Sequence, residues 1–194
     1  MAELPRTHPL QARAAAWKRL PATVGIAAEP FTAMADLRIG VSGPEVTAAL
    51  GAALPAAPNS WVQTDFGRAI WLGPDEWLLT SATERPEQLV GRIREATLPF
   101  GGVVVDVSAQ RITLRLTGSR VRDVLAKGCS IDLHPRGFGR GSSAQTTLGQ
   151  AGVVLLALSG SGDDYAVLVR SSFAGYLADW LADAALEFTG GQES

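Results

Sequence analysis

Two stretches of this chain change their apolar period at the same kind of place. In LRIGV, from Leu37, and ITLRL, from Ile112, every second residue is apolar: Leu37, Ile39 and Val41, then Ile112, Leu114 and Leu116. Alternation of that kind predicts a half-buried strand. Each run ends in a hydroxyl residue and a glycine, Ser42-Gly43 and Thr117-Gly118. The apolar spacing then turns helical, with Val46, Ala49, Leu50 and Ala53 on one predicted helix face and Val121, Val124 and Leu125 on the other. Ser42 and Glu45 have the spacing of a capping box, in which side chains satisfy the free backbone donors of a helix start. The second copy has no such glutamate.

The parallel continues along both copies. RAIWLG and EWLLT are short apolar runs joined by Gly73-Pro74-Asp75; GVVLLALSG and DDYAVLV are joined by Gly160-Ser161-Gly162-Asp163. Glycine, proline and aspartate supply turn geometry that strands cannot, so both pairs are predicted hairpins. A helical stripe closes each copy: Leu89, Ile93 and Ala96 in the first, and Phe173, Leu177, Trp180, Leu181, Ala184 and Phe188 in the second. The offset between copies exceeds the roughly 20–50 residues of a solenoid repeat. The pattern predicts an α+β fold of two similar β-α-β-β-α halves, residues 31–98 and 101–188, forming one compact domain whose strands merge or pack with helices on one side. An irregular N-terminal arm, 1–30, precedes them and a tail, 189–194, follows.

Composition narrows the function. The chain has 194 residues, 46% hydrophobic and 19% charged, an ordinary globular mixture that can build a core unaided. The single cysteine, Cys129, excludes an internal disulfide, and two histidines, His8 and His134, offer no zinc spacing. Glu3, Arg6, Arg13 and Lys18 interrupt the N-terminal apolar residues, unlike a secretory signal, and no segment has the roughly 18 uncharged apolar residues of a membrane span. A soluble, cytoplasmic protein is expected. Net charge is −2, which gives no general attraction to nucleic acid. One stretch is basic: Arg111, Arg115, Arg120, Arg122, Lys127, Arg136 and Arg140 stand against only Asp123 and Asp132. It suits an acidic partner or a polyanion, or else a solvated face balanced by acids elsewhere; no aromatic residues interleave to stack bases.

Candidate chemistry is sparse. In WLGPDEWLLT, from Trp71, the adjacent Asp75 and Glu76 suggest an acid–base pair. The matching turn of the second copy carries Asp163 and Asp164, so carboxylates recur where a turn recurs, and turn chemistry is the better reading. Trp71 and Trp77 are expected to pair across the hairpin. GFGRGSS, from Gly137, has no lysine after its glycines and follows no strand, so it reads as a mobile loop rather than a phosphate cradle. SGSGDDY, from Ser159, joins two strands and opens no helix. His134 reads as an exposed loop residue. Cys129 follows Lys127-Gly128, but a small, buried thiol at a helix end is expected rather than a reactive one.

From Gly102 onward, VVVDVS, ITLRLTG and the helix after Gly118 occur in the order of the folate-binding aminomethyltransferase superfamily, which includes the T-protein of the glycine cleavage system. More closely, the ordered set WLGPDEWLL, DVSAQRITLRLTG, LAKGCSIDLHPRGF, AQTTL and RSSFAGYLADWLADA resembles the gamma-subunit family of heterotetrameric sarcosine oxidases. That resemblance implies a complex that oxidatively demethylates sarcosine to glycine, with hydrogen peroxide and formaldehyde or 5,10-methylenetetrahydrofolate as further products. It implies alpha, beta and delta partner subunits holding FAD, covalent FMN, NAD and tetrahydrofolate, and no cofactor in this chain. The T-protein has a folate-activating carboxylate after a glycine pair; here the segment runs Ala151-Gly152-Val153-Val154-Leu155-Leu156, and leucine cannot accept a proton.

Two classes of function remain open. One is a non-catalytic subunit that completes a flavoprotein complex; the other is a free-standing tetrahydrofolate-binding, aminomethyltransferase-like protein. No catalytic, cofactor-binding or metal residue is nominated. The arm carries Pro5, Pro9, Pro21 and Pro30, yet also Leu10, Trp17, Leu20, Val24 and Ile26. A free arm should be polar, so part of it is expected to dock on partner subunits, with Trp17, Lys18 and Arg19 as the candidate interface. The competing expectation is that the arm packs on its own core.

Overall fold

The structure is a computed structural model, and it describes residues 8–40 and 42–189. Val41, the start of the arm with Glu3, Pro5 and Arg6, and the tail from 190 lie outside the described residues. In chain order the elements are α1 (Ala14–Trp17), β1 (Gly25–Ala28), β2 (Ala33–Arg38), α2 (Pro44–Leu50), β3 (Trp61–Thr64), β4 (Gly67–Gly73), β5 (Glu76–Ser81), α3 (Pro86–Thr97), β6 (Val103–Asp106), β7 (Arg111–Thr117), α4 (Val121–Ala126), β8 (Ser143–Leu148), β9 (Ala151–Ala157), β10 (Asp164–Arg170) and α5 (Ala174–Ala185).

They build two five-stranded antiparallel sheets, ordered β1-β7-β10-β9-β8 and β3-β4-β5-β2-β6. The α+β class with two similar halves, each strand–helix–hairpin–helix, is what the alternating and helical spacings predict. Each half also has one further strand, β3 or β8, ahead of its hairpin. The layers follow from which residues face which way. Ala35, Leu37 and Ile39 point with Trp77 and Leu79 toward Val46, Leu50, Leu89 and Ile93 of α2 and α3. Leu114, Leu116, Leu155 and Val167 point toward Val121, Leu125, Leu177 and Leu181 of α4 and α5. Between the sheets lies a third core, Met34, Ile70, Leu72 and Leu78 against Val154, Leu156, Ala166 and Leu168. Helices therefore cover one side of each sheet, and the other sheet covers the second side.

The arm departs from expectation. It is not irregular: α1 and β1 lie within it, and β1 pairs with β7 from Gly25↔Thr117 to Ala28↔Leu114. Leu10, Trp17, Val24 and Ile26 are buried in the same core as α4 and α5. Apolar burial decides this, because those side chains have a core within the chain to enter. The edge strand of the other sheet comes from the far side: β6, at the start of 101–188, pairs with β2 from Ala35↔Asp106 to Arg38↔Val103. Each sheet thus takes one edge strand from outside the β-α-β-β-α run that forms the rest of it.

Two local details carry physical reasons. The helix α2 starts at Pro44 with Gly43 as its cap and no side-chain capping bond, so Ser42 and Glu45 do not form the expected box. Proline fits the first helical position, its φ preset and its missing donor unneeded there, and that leaves Ser42 one residue too early. The glycine of Thr117-Gly118 has φ +119, and a Cβ there would sit 2.3 Å from the Thr23 carbonyl oxygen. The arm passes so close to the end of β7 that only glycine fits.

Candidate functional site

The WLGPDEWLLT motif folds as a hairpin with Pro74-Asp75 at its turn, and Trp71 and Trp77 are register partners across it. Trp77 is buried and its indole N–H donates to the Pro55 carbonyl at 2.9 Å. The two acids separate. Asp75 is a turn residue; Glu76 is the first residue of β5 and accepts a 2.6 Å hydrogen bond from Arg38, its partner on β2. The second half repeats this: Asp163 in the turn accepts bonds from Ser159 and Ser161, while Asp164 begins β10 and is clamped by Arg115 of β7. Those hydroxyl bonds hold the Asp163 carboxyl below its ordinary range.

Glu76 has a carboxylate neighbour other than the one adjacent in sequence. Burial first, then the charge of Asp36, raises its proton affinity, and Arg38 opposes the rise. The register of β2 on β5 brings Asp36 there. The signal in the sequence was the polar phase of the first strand, where Asp36 and Arg38 alternate with Leu37 and Ile39.

Other candidates lose their chemistry on folding. Leu155 and Leu156 are both fully buried, one in the helix-side core and one between the sheets. Cys129 is buried after α4, with Thr146 Oγ1 4.0 Å from its sulfur. Lys127 does not serve it: its ammonium donates to the Ala184 carbonyl at 2.7 Å and pairs with Glu187. His134 is exposed, as expected, and its Nδ1 accepts from the Arg136 N–H. The glycine-rich segment is a loop over 137–142, with Ser143 opening β8, and it is fastened, against the expectation of mobility. Phe138 is buried and stacked on Tyr165, and Gly141 bonds to Ala157 and Trp61. An aromatic residue with a core to enter outweighs the freedom of its glycine neighbours. Among the described residues no group of three or more His, Cys, Asp or Glu is placed to hold a metal. No helix among them is long and apolar enough to cross a membrane.

The basic stretch does not form one face. Arg115 pairs with Asp164 and Glu29, Arg120 with Asp123, and Lys127 with Glu187; Arg136 and Arg140 are exposed on the loop. Arg111 stands apart, directly across from Arg170. Of the arm's candidate interface, Trp17 is only 6% exposed and packs within this chain, whereas Lys18 and Arg19 next to it are exposed. The apolar surface that does face solvent lies elsewhere: Val103 and Val105 on β6 are 62% and 53% exposed, and Leu98 before that strand is 67% exposed. In the sequence this run, VVVDVS, stands out only through the family resemblance, and nothing in it marks Val103 and Val105 as exposed.

The architecture, two sheets face to face with helices outside, resembles the fold of part of an aminomethyltransferase. Over 90% of this chain and 49% of that one, it aligns with the glycine cleavage system aminomethyltransferase T from Bartonella henselae at a TM-score of 0.56 and 16% identity, a likeness of fold alone. The sarcosine oxidase, gamma subunit family model matches residues 36–187, and the chain belongs to that family. It is 38% identical over 145 residues to the sarcosine oxidase subunit gamma of Corynebacterium sp. (strain U-96), covering 74% of this chain and 69% of that protein. Identity to the Arthrobacter sp. subunit gamma is 39% over 144 residues, with the same coverage. A chain of the heterotetrameric sarcosine oxidase from Corynebacterium sp. U-96 superposes at a TM-score of 0.83 with 33% identity, over 97% of this chain and 99% of that one.

Proposed function

We propose that this chain is the non-catalytic gamma subunit of a heterotetrameric sarcosine oxidase, an oxidoreductase that demethylates sarcosine to glycine with release of hydrogen peroxide. The methyl carbon leaves as formaldehyde or on tetrahydrofolate. In this reading FAD, FMN, NAD and tetrahydrofolate are held by alpha, beta and delta partners, and the chain works in the cytoplasm. The observation that carries it is the end-to-end superposition on a chain of a heterotetrameric sarcosine oxidase. The chemistry of the chain agrees: the segment where the transferases place an acid has buried Leu155 and Leu156, and neither side chain can move a proton. The exposed valines of β6 supply apolar surface for a partner to cover, and Lys18 and Arg19 are proposed as exposed contacts at the arm.

The test is co-expression with the other subunits. The chain should purify with them in fixed stoichiometry; alone it should neither produce hydrogen peroxide from sarcosine nor absorb as a flavoprotein. Tight tetrahydrofolate binding by the isolated chain would point instead to a free-standing folate protein.

A further inference from the structure

Part of the first sheet's inner face is left uncovered by the second sheet. One row of residues crosses it in register: Arg111 of β7 lies opposite Arg170 of β10, and Gly152 of β9 lies opposite Thr147 of β8. With Gln145 and Val154 of the next row, they line a cleft of about 400 Å³.

The two arginines are unusual company. Like charges directly opposed on neighbouring strands are destabilising, and neither guanidinium forms an ion pair with a described residue. Arg115, four residues further along β7 on the same face, is by contrast held by Asp164 and Glu29. Burial of Arg111, and next the charge of Arg170, disfavour its cationic form. Asp36 and Glu76 on the facing sheet offset this only in part, and Glu76 is already bonded to Arg38. The cleft therefore holds positive charge that the chain itself does not neutralise.

Gly152 is an independent sign. A glycine inside a strand weakens it and often marks close approach of another molecule. Nothing in this chain requires it: a Cβ at 152 would meet no atom within 4 Å. The space its side chain would fill is the floor of the cleft. Beside the cleft the surface becomes apolar. Val105 is the register partner of Asp36, the carboxylate whose charge acts on Arg111, so the β6 edge lies on the Arg111 side of the cleft. Paired arginines next to exposed apolar side chains are the chemistry of a protein interface, and guanidinium forks match carboxylates in two-pronged geometry.

We propose that this cleft receives an aspartate or glutamate side chain from another subunit of the oxidase complex, seated over Gly152 between Arg111 and Arg170. The proposal rests on the reading that the chain assembles in such a complex. The test compares wild type, Arg170→Gln, the double change Arg111→Gln with Arg170→Gln, and Gly152→Leu, each co-expressed with the partner subunits. Every variant should keep the circular dichroism and thermal midpoint of the isolated wild-type chain, because removing one of two like charges or adding an apolar strand side chain does not oppose the fold. Retention in the complex should weaken by about tenfold or more for each, through truncation of a desolvated charge pair in the arginine variants and through occupation of the cleft floor in Gly152→Leu. High salt should weaken the wild-type complex more than the double variant, since only the wild type has the charge to screen. Failure of the wild-type chain to assemble would remove the underlying reading. An intact wild-type complex with undiminished retention of Arg170→Gln and Gly152→Leu would overturn the cleft. So would saturable binding of succinate to the isolated chain that Arg170→Gln abolishes while assembly is unaffected, because the occupant would then be a free carboxylate.

Discussion

The strands β1 and β6 occupy matching places, each at a sheet edge beside the first strand of a half, and the chain treats them differently. Beside β1, the arm folds back as α1, and Leu10, Trp17 and Ile26 share a core with α4 and α5. The residue of β1 that remains exposed is Ala27. On β6 only one face is covered, by α3 over buried Val104, and Val103 and Val105 face solvent on either side of it. An open strand edge with β-branched side chains is a template for another chain, which proteins ordinarily blunt with charge, proline or a covering element. One edge is closed by the chain itself. The other stays open among the described residues.

The largest expected effect tests the closed edge. Trp17→Ala should cost the isolated chain about 3 kcal/mol or more, the range for truncating a buried aromatic residue, read as a fall in the urea midpoint. Val105→Ala should change stability by no more than about 0.5 kcal/mol, as exposed substitutions do. Equal costs would break the comparison.

A smaller loss is expected where the arm crosses the end of β7. Gly118→Ala forces a Cβ against the Thr23 carbonyl at positive φ, and it should destabilise by more than about 1 kcal/mol. If thermal melts show no loss, the arm does not pass there as closely as described.

The open edge is sharpened by Val103→Thr with Val105→Thr, which keeps strand propensity and shape while adding hydroxyls. The isolated chain should stay within about 0.5 kcal/mol of wild type. Retention in the co-expressed complex should drop, as a pull-down at rising dilution would detect.

The smallest effect concerns the turn acids. Asp75→Asn with Glu76→Gln should leave sarcosine turnover of the assembled enzyme within a few-fold, since losing a true general acid or base costs about 10²–10⁴-fold. The same pair makes a pH prediction. Glu76 binds its proton more tightly when folded, with burial and Asp36 as the causes. Its stabilising contribution is therefore complete below the unfolded value of about 4.3 and is lost as pH rises through the higher folded value. The Glu76→Gln chain should lack that decline in a denaturation series across those pH values.

Much of the fold could be read from period and punctuation. The alternation at Leu37 and Ile112, the hairpin turns at Pro74-Asp75 and Gly162-Asp163, and the stripe at Leu177, Leu181 and Ala184 name their elements because strand, turn and helix are local geometries. Residues near one another in sequence decide them. Of the repeated carboxylates, Asp75 and Asp163 were legible as turn residues for the same reason, whereas Glu76 and Asp164 begin strands; the leucines at 155 and 156 already spoke against proton transfer.

What the sequence could not decide is where each strand and side chain would find its neighbour. Three valines at 103–105 look like core in any window, and Trp17 beside Lys18 and Arg19 looks like an anchor for something else. Only the packed chain determines that β1 enters the sheet of β7 while β6 enters the sheet of β2. That exchange buries Trp17 and leaves Val103 and Val105 uncovered, while the pairing of β7 with β10 sets Arg111 against Arg170. These are contacts between residues far apart along the chain, and their free energies depend on which apolar surfaces are buried together, a quantity that no local pattern contains.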